Sequence, residues 1–112
     1  MYVVVTYDCR DEETRRKVRS ILYRYSFTML TYSVYVGQGS KGLAERLASI
    51  LSKVLEEGDR ATIMLLTNFQ YETLMEVTKR NVLVRGEKEP IIVFYGRKRR
   101  NENTSTAHES SR

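Results

Sequence analysis

Nine residues at the start, Met1-Tyr-Val-Val-Val-Thr-Tyr-Asp8-Cys9, constrain the fold more than any other stretch. β-Branched and aromatic side chains this dense lose rotamer freedom in a helix and pack well on a pleated surface, which predicts a central strand buried on both faces. Alternation along a strand puts Tyr2, Val4, Thr6 and Asp8 on one face and Val3, Val5, Tyr7 and Cys9 on the other. A carboxylate, Asp8, is thereby delivered at the carboxyl end of a rigid element.

Asp11-Glu12-Glu13 follows as a helix start, with Asp11 as cap and acids favoured in the first turn by the helix dipole. Val18, Ile21, Leu22 and Tyr25 recur at helical spacing, so the helix is expected from Glu12 to Tyr25, with Arg15, Arg16, Lys17, Arg19 and Arg24 on its other faces. Ser26 to Val36 is rich in strand formers and too long for one strand, which predicts two strands joined near Thr31–Ser33. Gly37-Gln-Gly-Ser-Lys-Gly42 reads as a break; it lacks the GK[ST] ending of a phosphate loop and is taken as a flexible connector. Leu43, Leu47, Ile50, Leu51, Val54 and Leu55 mark a second helix, with Gly58 expected as its C-terminal cap. Ala61–Thr67 is the next buried strand, Tyr71–Arg80 a weaker helical stretch, and Asn81–Arg85 and Pro90–Tyr95 two further strand candidates.

The order β-α-β-β-α-β predicts an α+β, ferredoxin-like antiparallel sheet over residues 1–96, with two helices on one face and an extra C-terminal strand. The uncovered face carries Tyr2, Val4 and Thr6, and a two-fold homodimer with facing sheets is the economical way to bury it. The polar segment 97–112 is expected to be a disordered tail.

Charge decides less than the total suggests. Of the formal +5, residues 1–96 hold 14 Lys/Arg against 12 Asp/Glu and residues 97–112 hold 5 against 2. Nucleic-acid binding must therefore be argued from clusters, of which Arg97-Lys98-Arg99-Arg100 is the densest. The single cysteine excludes an internal disulfide and a cysteine-rich zinc site, and the single histidine, His108, lies in the polar tail, away from any catalytic pattern. With no apolar run long enough to span a bilayer and a strand from the first residue, the reading is a cytoplasmic protein without leader or anchor.

The first strand ending in Tyr7-Asp8, the arginine-bearing first helix and the Ser33-Val34-Tyr35 element before a glycine-rich break resemble the second core protein of CRISPR adaptation, here the Cas-two family. The resemblance runs over roughly residues 1–96. Two positions depart from the family pattern: Tyr35 stands where phenylalanine is usual, and Ser26 where a glycine often precedes the second strand. The resemblance implies a homodimer in which the last strand crosses onto the partner's sheet. It also implies action with the CRISPR integrase in spacer acquisition, and metal-dependent nuclease chemistry on single-stranded RNA or duplex DNA. The family's metal-binding aspartate falls on Asp8.

A lone strand-end aspartate is most often a turn or cap residue, and one carboxylate is a poor metal site. Two-fold symmetry would bring two copies of Asp8 to one Mg²⁺, an ion that needs only one or two carboxylates beside waters and phosphate oxygens. Asp8 is thus both the metal-ligand and the catalytic candidate. The nucleic-acid candidates are Arg15, Arg16 and Arg19 for phosphates, Ser33 beside the metal, Tyr35 for stacking on bases or bonding phosphates, and Arg97, Lys98, Arg99 and Arg100 for salt-sensitive attraction. A solvated helix face and a solubilising tail are the plainer readings of those arginines. The alternatives to a nuclease are a non-catalytic clamp bridging integrase copies on duplex DNA and an RNA-binding ferredoxin-like module, the latter resting on exposed sheet aromatics such as Tyr2 and Tyr32.

Overall fold

In the computed structural model the described residues are 1–86, and they fall into two compact units, Met1–Asn68 and a second that starts at Phe69. The candidate strand Pro90–Tyr95, the tail and the cluster Arg97–Arg100 lie outside the described residues.

The first unit runs β1 (Tyr2–Asp8), α1 (Glu12–Arg24), β2 (Thr28–Thr31), β3 (Val34–Gln38), α2 (Lys41–Val54) and β4 (Arg60–Leu66). Its sheet has the order β2-β3-β1-β4, with antiparallel pairing at every step. β1 lies between β3 and β4, as its density of β-branched residues demands. Val3 and Val5 are fully buried, and Tyr7 and Cys9 nearly so. Against them pack Val18, Ile21 and Leu22 of α1 and Leu47 and Leu51 of α2, so both helices cover this one face. The other face of β1 carries Val4, which is buried, Tyr2 and Thr6, which are half-buried, and Asp8, which is exposed.

α1 ends in a hydrogen-bonding pattern that requires a left-handed residue at position 26. Ser26 N–H donates to the carbonyl of Tyr23 and Phe27 N–H to that of Leu22, both at 3.0 Å. Ser26 itself has φ 67°. This is a Schellman cap, which closes orphan carbonyls with one left-handed residue and sets an apolar residue just beyond it, here Phe27, against the last turn. The β2–β3 turn at Tyr32 and Ser33 also needs a left-handed residue, supplied by Ser33 at φ 65°.

Three expectations are corrected. Gly37 and Gln38 belong to β3, so the connector before α2 shrinks to Gly39 and Ser40. Glycine is needed at 37 for closeness: an added Cβ would lie 2.7 Å from the Phe27 ring. Gly58 does not cap α2, whose C-cap is Leu55; it lies in the loop before β4 with φ 91°. The expected helix over Tyr71–Arg80 is a short helix α3 (Asn68–Glu72) followed by a strand β5 (Met75–Thr78). Leu74, Met75 and Thr78 mimic helical spacing, but Met75-Glu-Val-Thr also alternates, and pairing with β6 (Asn81–Val84) decides for a strand. The Lys79–Arg80 turn between them places Arg80 at φ 83°.

Candidate functional site

Asp8 ends β1 on the face away from the helices. In the β1–β4 register it stands directly opposite Arg60, Thr6 opposite Thr62 and Val4 opposite Met64. On the other side Thr6 faces Val34 and Val4 faces Val36. That face therefore grades from apolar at the Tyr2 end to charged and hydroxylic at the Asp8 end. Both Asp8 and Arg60 are exposed.

The loops around Asp8 are tied down by side chains. Arg15 Nη1 donates to the carbonyl of Cys9 at 2.6 Å and to that of Arg10 at 3.1 Å. Its Nε donates to Glu12 Oε1 at 2.9 Å, while Glu12 Oε2 accepts from Arg19 Nη2, also at 2.9 Å. One carboxylate thus holds two guanidiniums. Bonds from Arg19 and then Arg15 keep Glu12 below the usual carboxylate range, and Glu12 in turn raises both arginines further above theirs. Behind the next loop, Asp59 Oδ1 accepts the Arg10 backbone N–H at 3.3 Å and Oδ2 that of Glu56 at 3.0 Å. The start of β4 is so fixed against the segment that follows Asp8.

The sequence-derived candidates fare differently. Asp8 and Ser33 come to the same end of the sheet, where Tyr7 N–H donates to the Ser33 carbonyl at 3.1 Å. Arg15 and Arg19 reach that end too, but they are engaged with Glu12 and, for Arg15, with the loop carbonyls. Arg16 pairs at the surface with Glu13 at 2.7 Å. Together with Ser20, Tyr23 and Arg24, Arg16 and Arg19 line an open cleft of about 420 Å³ along α1.

Tyr35 requires a correction. It is 0% exposed, stacked on Tyr7 with ring centroids 6.1 Å apart and edge-on to Tyr23 at 5.6 Å. Its hydroxyl meets that of Tyr23 at 3.3 Å, and the buried ring offers no surface to a base or phosphate. The reason is parity: Val34 and Val36 share the Asp8 face, which turns Tyr35 into the core. Tyr32, in contrast, is 73% exposed at the β2–β3 turn.

Among the described residues no group of three or more His, Cys, Asp or Glu is arranged to hold a metal. A single copy of Asp8 offers one carboxylate, so a hard cation held here would draw its other ligands from water, phosphate oxygens or a second copy. Burial first, then the charges of Asp59 and Asp8, push the Cys9 thiol up, which disfavours the thiolate. Arg60 and Asp59 escaped the sequence reading because only the β1–β4 register brings them to Asp8.

Comparison with known proteins supplies a second, independent line. Residues 1–74 match the family model described as CRISPR associated protein Cas2. A CRISPR-associated endoribonuclease Cas2 of Thermofilum pendens is 33% identical over 72 residues, 64% of this chain and 77% of that protein. The endoribonuclease Cas2 2 of Pyrobaculum aerophilum is 37% identical over 54 residues, 48% of this chain and 59% of the relative. A Cas1/Cas2 endonuclease fusion of Thermoproteus tenax is 36% identical over 55 residues, 49% of this chain but 21% of the fusion. A crystal structure of a Cas2 superposes with a TM-score of 0.51 at 22% identity, over 95% of this chain and 98% of the other, a likeness of fold. No helix among the described residues is long and apolar enough to cross a membrane.

Proposed function

Because the chain belongs to the CRISPR-associated Cas2 family, we propose that it works in spacer acquisition as a homodimer with a ferredoxin-like body, a Mg²⁺-dependent phosphodiesterase at paired Asp8 carboxylates. The observation that carries this is the placement of Asp8: exposed, at the end of the central strand, on the face the helices leave open. Relatives named as endoribonucleases support RNA cleavage, and the Cas1/Cas2 fusion supports a Cas1 integrase as partner.

The residues divide the work. Asp8 from each of two copies would hold Mg²⁺, which supplies Lewis-acid polarisation of a phosphoryl oxygen and an acidified water. Arg15 fixes the backbone beyond Asp8 through the Cys9 and Arg10 carbonyls. Arg16 and Arg24, on the open cleft, give the outer face of α1 positive charge for a nucleic-acid backbone.

A second reading rests on the fusion relative: a clamp that spaces integrase copies on duplex DNA and needs no nuclease activity of its own. Cleavage of labelled single-stranded RNA and duplex DNA by the wild type and by Asp8→Ala, each with Mg²⁺ or EDTA, separates the two. Both proteins must first sediment as dimers of equal stability. We expect metal-dependent cleavage by the wild type alone. Equal cleavage by both proteins overturns the assignment of Asp8, and no cleavage by either supports the clamp.

A further inference from the structure

We infer that Arg60 is a phosphate contact at the Asp8 end of the sheet, a guanidinium set directly across from that carboxylate to bind a non-bridging oxygen of the nucleic-acid strand. The inference rests on the reading that nucleic acid approaches this end. Register comes first. Asp8 and Arg60 are Cα partners on neighbouring antiparallel strands and share the open face. Directly opposed residues on one face place their Cβ atoms roughly 4.5–5.5 Å apart.

Availability comes second. Arg15 and Arg19 commit guanidinium donors to Glu12 and, for Arg15, to backbone carbonyls, while Arg16 commits one donor to Glu13 at the surface. Arg60 is exposed and has no ion-pair or side-chain hydrogen-bond partner among the described residues. Its backbone is nonetheless fixed, since Asp59, the residue before it, accepts from the N–H groups of both Arg10 and Glu56. A donor fork without a partner among the described residues, carried on an ordered strand, is placed to take an anion.

Electrostatics supplies the third argument. A phosphodiester nearing Asp8 alone meets like charge, and a cation one strand away makes the approach favourable. The hydroxyls of Thr6 and Thr62, the next cross-strand pair on that face, extend the same polar patch. The plainer role for Arg60 is a strut, pairing with the carboxylate opposite or with that of a second copy.

The two roles part in their salt dependence. Binding of a fluorescently labelled DNA duplex and of a labelled single-stranded RNA is measured in EDTA over a series of salt concentrations. The proteins are wild type, Arg60→Gln and Arg60→Lys, each also tested for melting temperature and dimerisation. We expect Arg60→Gln to remain a folded dimer, to bind more weakly, and to lose about 0.9 from the duplex slope of log affinity against log salt for each phosphate contact removed. Arg60→Lys, which keeps the charge, retains that slope. A wild-type slope in Arg60→Gln overturns the inference, and so does a lowered melting temperature or dimer loss with that slope kept, which identifies a strut. A wild type that binds neither nucleic acid overturns the parent reading as well, a different result from normal wild-type binding with an indifferent Arg60→Gln.

Discussion

The two faces of β1 are built from interleaved residues of one strand, yet they obey different rules. Val3, Val5, Tyr7 and Cys9 meet two helices and form the centre of the core. Tyr2, Val4, Thr6 and Asp8 face away from those helices and end in an exposed carboxylate opposite an exposed arginine. The first face is held by shape and apolar area, so it tolerates little change in volume. The second carries its distinctive groups where burial is least, so chemistry there is uncoupled from the stability of the fold. Rigidity is the link, because the strand that the core immobilises is the same strand that presents Asp8.

The largest expected effect tests that division. Leu22→Ala, which empties a fully buried position on α1, should cost about 2–5 kcal/mol in urea denaturation at fixed protein concentration. Asp8→Ala should stay within about 0.5 kcal/mol of the wild type. Comparable losses in both would break the comparison by showing that the open face holds the fold as much as the helix-covered one does.

Next in size is the strut behind Asp8. Arg15→Met keeps the aliphatic stem but abandons the Cys9 and Arg10 carbonyls, for an expected loss of about 1–3 kcal/mol. Arg16→Met, which removes a surface pair in which both side chains are 61% exposed, should cost less than about 1 kcal/mol. Amide hydrogen exchange at Arg10 and Asp11 should accelerate in the first variant alone. Acceleration in both would mean that α1 as a whole, and not Arg15, fixes the loop.

These contrasts also mark where the sequence was legible. The core face follows from period: alternation in β1 and the stripes Val18-Ile21-Leu22 and Leu47-Leu51 each name buried residues that the structure buries. Asp8 follows too, because a strand's end and its parity are local properties. Asp11 was half legible, since it takes the N-cap position of α1 but its side chain makes no capping bond. Arg60 and Asp59 were not legible, because antiparallel register joins positions as distant as Asp8 and Arg60, and no local pattern encodes it. The hold of Arg15 on the Cys9 and Arg10 carbonyls was not legible for a related reason: a helix-surface arginine shows no such bond until the loop that folds back onto it is known. β5 was missed because short apolar runs fit both periods, and only the ladder to β6 breaks the tie.

A smaller effect, of opposite sign, comes from the turn that joins α1 to β2. Ser26 holds φ 67° at the Schellman position, where a Cβ is strained and glycine is not. Ser26→Gly should therefore stabilise by about 1 kcal/mol, and the same change at an α1 surface position such as Ser20 should destabilise. Thermal melts of the two variants check the sign. A destabilised Ser26→Gly would mean that the greater entropy of a glycine-containing unfolded chain outweighs the relief of strain.

The smallest effect at neutral pH, and the most specific, belongs to Tyr35. Burial first, then the Tyr23 hydroxyl, push its ionisation well above the ordinary 10.0. A raised folded-state value contributes stability that is fully present below about pH 10 and is lost as pH rises, because the unfolded chain then releases a proton that the folded chain retains. Tyr35→Phe removes that dependence. It also removes a hydroxyl contact of 3.3 Å, which near neutrality should cost no more than about 1 kcal/mol. Urea midpoints measured from pH 7 to pH 11 should therefore begin close together and diverge, with the wild type falling more steeply on the alkaline side. Parallel curves would mean that Tyr35 ionises as readily in the folded chain as in the unfolded one, and that the helix-covered face is wetter at its Tyr7–Tyr23–Tyr35 cluster than its packing implies.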